Sequence, residues 1–485
     1  MSPARIGPAH PPRRPEARDH GMDDGEIGSW DARTIAARVL SGDVSPRDVV
    51  EAHLSRIDAL NPTLNAIVNH EPERARAEAV PIEERLKRGE RPPLAGVPVV
   101  VKDVIWVDGR RIAQGSQLFR DFIAPRDAVS VERLRAAGAV IIGIGNTSEF
   151  ACKGVTTNRL YGPTRHPMNE ELTPGGSSGG CAVAVAAQLA PLALGTDGGG
   201  SSRRPPAHVG VVGFKPSLGA IPDPFALPHA FNGIQVIAPI ARNVGDAEIM
   251  FAVMAGADPR DPESCELPRA DERVDLRIAY SPRLGLDAPV DADVATAVER
   301  AVTRLKSDGI RIEEADPQWP DGAGEDALMP LQHVGLANLY GGRPAEDLEC
   351  LDPDIAAQIE RGRSWTGADV ARAREASRQI ALTLSAFFTR YDLLFCPTAP
   401  CVAWPLTQLG PATIGGVPVA PRGHAVFTPF FNHALCPAIS IPCGTGRDGL
   451  SVGLQIAGPR FADRRVLSFA ARAESLFAAG RQQGR

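Results

Sequence analysis

The hydrophobic and polar positions of this chain fall into blocks whose spacing predicts helices alternating with short, fully buried strands. Ser45-Pro46-Arg47-Asp48 has the chemistry of a helix start: a serine cap, a proline at the first helical position and an acid two residues on. Val50, Leu54 and Ile57 follow at helical spacing, and Asn61-Pro62 is expected to end that helix. Further on, the apolar run Val97-Pro98-Val99-Val100-Val101 stops abruptly at Lys102-Asp103 and reads as a buried strand. Asp127 is placed to cap a helix whose Val131, Leu134 and Ala137 share one face and which Gly138 closes; the strand Ala139-Val140-Ile141-Ile142-Gly143-Ile144 comes at once. This β–α–β succession builds parallel strand pairs. Cys181 to Ala190 reads as a tightly packed helix of small residues, and Pro191-Leu192-Ala193-Leu194-Gly195 as a short strand. Residues 285–380 are mostly helical in pattern, with proline and glycine breaks, and are expected to cover a site.

Composition narrows the function classes. A chain of 485 residues with 43% apolar content has ample material for a large core, and its length suits one large α/β unit. The net charge of −6 is mild and gives no electrostatic footprint for nucleic acid. Eight cysteines at 152, 181, 265, 350, 396, 401, 436 and 443 form no CxxC, so buried thiols in a reducing compartment are expected. Residues 1–27 are rich in Pro, Arg, Asp and Gly, lack the apolar run of a secretory signal and are expected to form a flexible tail. The most apolar stretch, Cys181 to Gly195, is broken by Gln188 and Pro191 and falls short of the ~20 residues of a membrane span. A soluble, cytoplasmic protein with no membrane or nucleic-acid partner is expected.

Candidate chemistry concentrates in two glycine-rich turns. Gly175-Gly176-Ser177-Ser178-Gly179-Gly180 precedes the small-residue helix, and Gly195-Thr196-Asp197-Gly198-Gly199-Gly200-Ser201-Ser202-Arg203 follows the strand after it. Glycines at this density let backbone N–H groups approach a ligand closely. Lys102 and the Thr196-to-Ser201 turn both sit at the exit ends of predicted strands, the edge at which open α/β sheets bind ligands. A lysine and two serines so placed are the parts of a hydrolase that works without histidine.

The chain resembles the amidase signature family of Ser–Ser–Lys amide hydrolases. The matching blocks are Leu94 to Asp103, the two serine turns, Gly210-Val211-Val212-Gly213-Phe214-Lys215-Pro216, and Gly449 to Pro459. The likeness is strong over about 90–217 and traceable from about 29 to 475; 260–390 carries no family motif. The resemblance implies one α/β/α domain over 28–480 around a large mixed twisted sheet, with 260–390 as a variable, substrate-covering helical region. It also implies Ser201 as nucleophile, Ser177 as bridging serine after a cis Gly176–Ser177 peptide, and Lys102 as base. The N–H groups of Gly198, Gly199, Gly200 and Ser201 would form the oxyanion hole, four successive amides in a turn being an anion-binding nest. Supporting roles fall to Thr196, expected on the Ser177 hydroxyl, to Asp197 and Arg203 as a charge pair, and to Ser178. A base at Lys102 must be neutral; from a reference pKa of about 10.4, work near pH 8 requires roughly 3 kcal/mol against the ammonium, which burial supplies.

Rival readings fare worse. Gly175 to Gly179 literally matches the G-x-S-x-G elbow, but the residues before it, Met168 to Pro174, are polar and proline-ended where the elbow requires a strand. His166, His208 and His433 are expected to be packed, hydrogen-bonded side chains. No HExxH spacing and no GK[ST] after the glycines is present, so neither a metal nor a nucleotide nor any other cofactor is implied. Phe427, Phe430 and Phe431 are candidates for an apolar pocket or for core. Arg204 and Pro206 stand in the second loop as departures from the family pattern that would reshape the pocket wall. The expected function is a stand-alone amidase acting on small amides, anilides or carbamates (urethanes), as a monomer or a homodimer. The alternative is the amidase subunit of a glutamine-dependent tRNA amidotransferase.

Overall fold

A computed structural model describes residues 24–226, 229–231, 233–268 and 275–483. Strands β1 (Ile67–Asn69), β2 (Pro98–Lys102), β3 (Val140–Gly145), β4 (Leu192–Asp197), β5 (Val212–Lys215) and β6 (Val236–Ala241) come first along the chain. They are followed by β7 (Ile278–Tyr280), β8 (Ile312–Glu314), β9 (Leu393–Pro397), β10 (Thr413–Ile414), β11 (Val417–Pro418), β12 (Ala438–Thr445) and β13 (Ser451–Ala457). Eleven of them form one sheet in the order β1-β3-β2-β4-β6-β5-β12-β13-β9-β7-β8, while β10 and β11 pair as a separate hairpin. The sheet is mixed: β3, β2 and β4 run parallel, as do β7, β8 and β9, and the strands between are antiparallel. The α/β class and large mixed sheet expected from the sequence are both present.

The apolar runs have a simple cause. Val99 and Val101 of β2 enter one core, with Leu192 and Leu194 of β4, whereas Val100 and Ala193 enter the core on the opposite face. Strands with helices on both faces need apolar side chains at every position, which is why these segments lack alternation. The helix Gly179–Ala186 is buried nearly all round, and its small residues let it lie against the sheet.

The chain leaves β2 to reach β3 on one side and then crosses to β4 on the other. The exit ends of β2 and β4 therefore flank a crevice at a topological switch point, where α/β sheets hold ligands.

Several boundaries differ from the sequence reading. The helix Pro46–Leu64, which carries the full Ser45/Asp48 capping box, runs through Pro62 and ends with Asn65 in the left-handed region. A proline in the last turn removes only one N–H, and Asn65 closes the helix by donating to the Asn61 carbonyl. Asp127 does not cap Val129–Ala136; its carboxylate accepts from the Asp108 N–H and pairs with Arg135. The small-residue helix begins at Gly179 and ends at Ala186, and β4 extends through Thr196 and Asp197. The tail expected over 1–27 lies outside the described residues up to position 23; Asp24–Ser29 is helical, with Ile27 buried in the core. Within 285–380 the helices Ala292–Ser307, Glu325–Tyr340, Ala345–Glu349, Pro353–Ser364 and Gly367–Arg390 are interrupted by β8.

Candidate active site

β2 delivers Lys102 to the sheet edge, fully buried. Its Nζ donates to Ser177 Oγ at 2.8 Å and to Thr196 Oγ1 at 2.9 Å, and Ser177 Oγ donates to Ser201 Oγ at 2.9 Å. Three side chains, one from a strand end and two from separate turns, thus form one hydrogen-bonded line, sealed at Lys102 and Ser177 and opening at Ser201, which is 7% exposed. Burial lowers the Lys102 ammonium pKa from 10.5 to about 8, against a smaller opposing pull from Cys181, Asp197 and Cys152.

The Ser177 turn is held from a neighbouring loop. The Gly176–Ser177 peptide is cis, and a Cβ on Gly176 would lie 2.5 Å from the Val155 backbone, so only glycine fits there. Thr156 Oγ1 donates to the Gly175 carbonyl and accepts from the Gly179 N–H, both at 2.9 Å. Thr156 carries no local sequence signal, because its role depends on the long-range packing of this loop. Ser178 Oγ donates to the Thr196 carbonyl at 3.1 Å, facing away from the Lys102–Ser177–Ser201 line. Thr196 contacts Lys102 and not, as expected, the Ser177 hydroxyl.

Asp197 and Arg203 pair as expected, fully buried: Arg203 Nη2 reaches Asp197 Oδ1 at 2.9 Å and Nε reaches Oδ2 at 3.0 Å. Arg203 also donates to Gln455 Oε1 at 2.7 Å, Asn432 Oδ1 at 2.6 Å and the Thr428 carbonyl at 2.9 Å, which gives the C-terminal block a structural task. Burial alone would raise the Asp197 pKa, but the charge and hydrogen bonds of Arg203 hold it well below the usual carboxylate range. Removing one partner of such a pair leaves an uncompensated buried charge. Arg203→Met is therefore expected to destabilise the fold by about 3–5 kcal/mol, read as a lower urea midpoint; an unchanged midpoint would show that the pair is not what holds the turn.

The same carboxylate changes the expected donor set. Asp197 Oδ1 accepts from the Gly200 N–H at 2.6 Å and Oδ2 from the Ser202 N–H at 3.1 Å. Gly200 is thereby committed to the scaffold. Among the described residues, the N–H groups of Gly198, Gly199 and Ser201 donate to no protein acceptor, and these three residues line the cleft.

That cleft is narrow: about 60 Å³ is open to the centre of a water-sized molecule, within about 640 Å³ of non-atom space that includes its solvent-open mouth. Helix Glu325–Tyr340 covers it with Leu328, Met329, Leu331 and Gln332, and Phe231 and Ile234 complete an apolar side. Lys153, Arg204 and Arg422 also line it, and among the described residues it has no carboxylate. Of these residues only Arg204 stood out in the sequence. Pro206, the other departure, packs beneath Gly213 in helix Arg204–Val209 and is no part of the wall. Phe427, Phe430 and Phe431 are core: all three are buried, and Phe430 packs on Trp319.

His166 and His433 are packed and hydrogen-bonded as expected, whereas His208 is packed with its ring Nε2 buried and without a hydrogen-bond partner among the described residues. His166 Nε2 lies 3.0 Å from the His208 carbonyl, and the His208 ring meets Trp404 edge-on. His433, at the cleft wall, pairs with Ser377 Oγ at 2.8 Å. Burial lowers His208 to about 3 and His433 to about 4, so both are neutral at pH 7. No group of three His, Cys, Asp or Glu side chains among the described residues is placed to hold a metal ion, and no helix among them is long and apolar enough to cross a membrane.

Comparison with known proteins gives this geometry its context. The family model described as Amidase matches residues 48–467. An acylamidase of Rhodococcus erythropolis is 37% identical over 455 residues, covering 92% of this chain and 95% of the relative. A glutamyl-tRNA(Gln) amidotransferase subunit of Chromobacterium violaceum is 33% identical over 468 residues, covering 90% and 95%. Among solved structures, a bacterial aryl acylamidase of the amidase signature family superposes with a TM-score of 0.87 at 28% identity, over 93% of this chain and 97% of that one. A 6-aminohexanoate cyclic dimer hydrolase complexed with substrate gives 0.82 at 28% identity, over 93% and 98%.

Proposed function

Because the chain belongs to the amidase signature family, we propose that Ser201, Ser177 and Lys102 carry out its hydrolysis of carbon–nitrogen bonds other than peptide bonds, on small amides, anilides or carbamates. The observation behind this reading is the line Lys102–Ser177–Ser201, which ends at a cleft lined by Gly198, Gly199 and Ser201, whose N–H groups have no protein acceptor among the described residues.

The geometry supports the following course. Neutral Lys102 takes the Ser177 proton while Ser177 takes that of Ser201, along the same two contacts with their donors reversed. Ser201 Oγ then bonds to the substrate carbonyl carbon, and the carbonyl π pair moves to oxygen. The N–H groups of Gly198, Gly199 and Ser201 receive that charge. On collapse the C–N bond breaks, and the proton held at Lys102 returns through Ser177 to the departing nitrogen. Water, losing a proton by the same relay, resolves the acyl-enzyme on Ser201.

The wall supports a stand-alone acylamidase over an amidotransferase subunit. Its apolar side suits an aryl or alkyl group. Its charged members, Lys153, Arg204 and Arg422, offer no counter-charge to the α-ammonium of glutamine. A reducing cytoplasm suits eight cysteines that form no disulfide.

The test is to purify the chain alone and assay anilides, matched esters, aryl carbamates and glutamine. Anilide turnover without a partner is expected, with glutamine a poor substrate. Glutamine hydrolysis that appears only with a partner subunit would return the amidotransferase reading.

A further inference from the structure

Arg204 has no part in the relay or in the Asp197–Arg203 pair, yet it lines the cleft and is only 3% exposed. Nη1 donates to the Gly199 carbonyl at 2.6 Å and to Thr428 Oγ1 at 3.0 Å. Thr428 Oγ1 donates to that same Gly199 carbonyl at 2.7 Å. The other end of the same peptide group, the Gly200 N–H, donates to Asp197 Oδ1. One peptide plane is therefore held at its oxygen by two donors, one of them charged, and at its N–H by a carboxylate.

Three consecutive glycines have no side chains to restrict their backbone, and Gly200 sits at φ +116°, a conformation few other residues adopt. A peptide unit is rigid, so fixing its oxygen and its N–H fixes the plane from which the chain departs in both directions. The Gly199 and Ser201 N–H groups lie one residue to either side of it. Thr428 is itself anchored, because its carbonyl accepts from Arg203. A Cβ on Gly200 would fall 2.1 Å from Thr428 Oγ1 and 2.9 Å from Arg204 Nη1, which shows how closely the two side chains close over this turn.

We propose that Arg204 and Thr428 clamp the Gly199–Gly200 peptide and so preorganise the oxyanion donors. Arg204 is then a positioning residue acting through the Gly199 carbonyl. This rests on the hydrolase reading above. Negative charge on the substrate oxygen develops only in the transition state, so a loosened donor set lowers kcat and leaves ground-state binding alone.

The test compares Arg204→Met, Arg204→Lys and Thr428→Val with the parent on a neutral anilide and on an anilide carrying a carboxylate. The second readout is inhibition by a neutral aryl trifluoromethyl ketone, whose carbonyl carbon bonds to the serine Oγ as its oxygen becomes an alkoxide. Arg204→Met is expected to lower kcat about 10- to 100-fold, the scale of a displacement near 1 Å, on both substrates, with KM within twofold. The ketone Ki should rise by the same factor as kcat/KM falls. Arg204→Lys should recover part of the loss, and Thr428→Val should show a smaller loss of the same kind. An unchanged kcat in Arg204→Met overturns the clamp, as does a loss confined to KM for the carboxylated substrate, which would make the guanidinium a substrate contact. If Arg204→Met does not fold, Thr428→Val decides by the same criteria. A parent enzyme inactive on every amide overturns the hydrolase reading instead, so the two failures are distinguishable.

Discussion

Ser201→Ala is expected to lower kcat for anilide hydrolysis by about 10³- to 10⁶-fold, the scale on which removal of a nucleophile acts in serine hydrolases, and to abolish labelling by a fluorophosphonate. Of Ser177, Ser178 and Ser201, only Ser201 lines the cleft. Ser177 is sealed between Lys102 and Ser201, and Ser178 faces the Thr196 carbonyl. Ser201 also shares its turn with the donors that would receive the oxyanion, so attack and charge stabilisation occur at one point in space. The substitution removes one hydroxyl from a position already near solvent, so the variant is expected to retain the parent's unfolding midpoint. Mass spectrometry of the labelled parent checks the assignment independently of rate. Label on Ser201 is the expected result, and label on Ser177 or Ser178 would move the nucleophile to the first glycine turn.

How much of this was legible in the sequence depends on how far each contact reaches along the chain. Lys102 at the end of an apolar run, and each serine within its glycines, are local patterns, and the fold brings together what those patterns single out. The parallel β2–β3 pair and the existence of β4 also followed from local periodicity, whereas the place of β4 beside β2 did not. By contrast, the commitment of the Gly200 N–H depends on which way the Asp197 carboxylate turns, and that is set by Arg203, Asn432 and Gln455, up to 252 residues distant from one another in sequence. Thr156 and Thr428 hold the two turns through contacts that no spacing in the chain encodes. The cleft wall from helix Glu325–Tyr340 was expected only as a helical cover, because amphipathic spacing tells which residues share a face but not what that face meets. Phe427, Phe430 and Phe431 show the same limit in reverse: a cluster of aromatics near a functional block is equally a core signal, and core is where they lie.

Lys102→Met is expected to give the second large effect, and to separate amide from ester hydrolysis. Burial brings the ammonium down to about 8, so below that pH the lysine is protonated and cannot accept the serine proton. kcat/KM of the parent should accordingly rise with pH through the neutral range and level off above about 8. The same shift bears on stability. Between about 8 and the unfolded value of ~10.4 the unfolded chain holds the extra proton, so stability rises with pH across that window; below it the buried charge costs about 3 kcal/mol. Methionine keeps the apolar stem and removes that cost, at the loss of two hydrogen bonds of about 1 kcal/mol each. The variant should therefore unfold no earlier than the parent at pH 7, and lost activity cannot be put down to lost fold. Amide turnover should fall by about 10²- to 10⁴-fold, the usual range for a general acid–base. Ester turnover should fall less, because an alkoxide or phenolate leaves without the proton that an amine requires. The pH-dependent rise should vanish from whatever ester activity is left. Near-normal amide turnover in Lys102→Met, or an equally complete loss in His433→Ala or His208→Ala, would return the proton relay to a histidine.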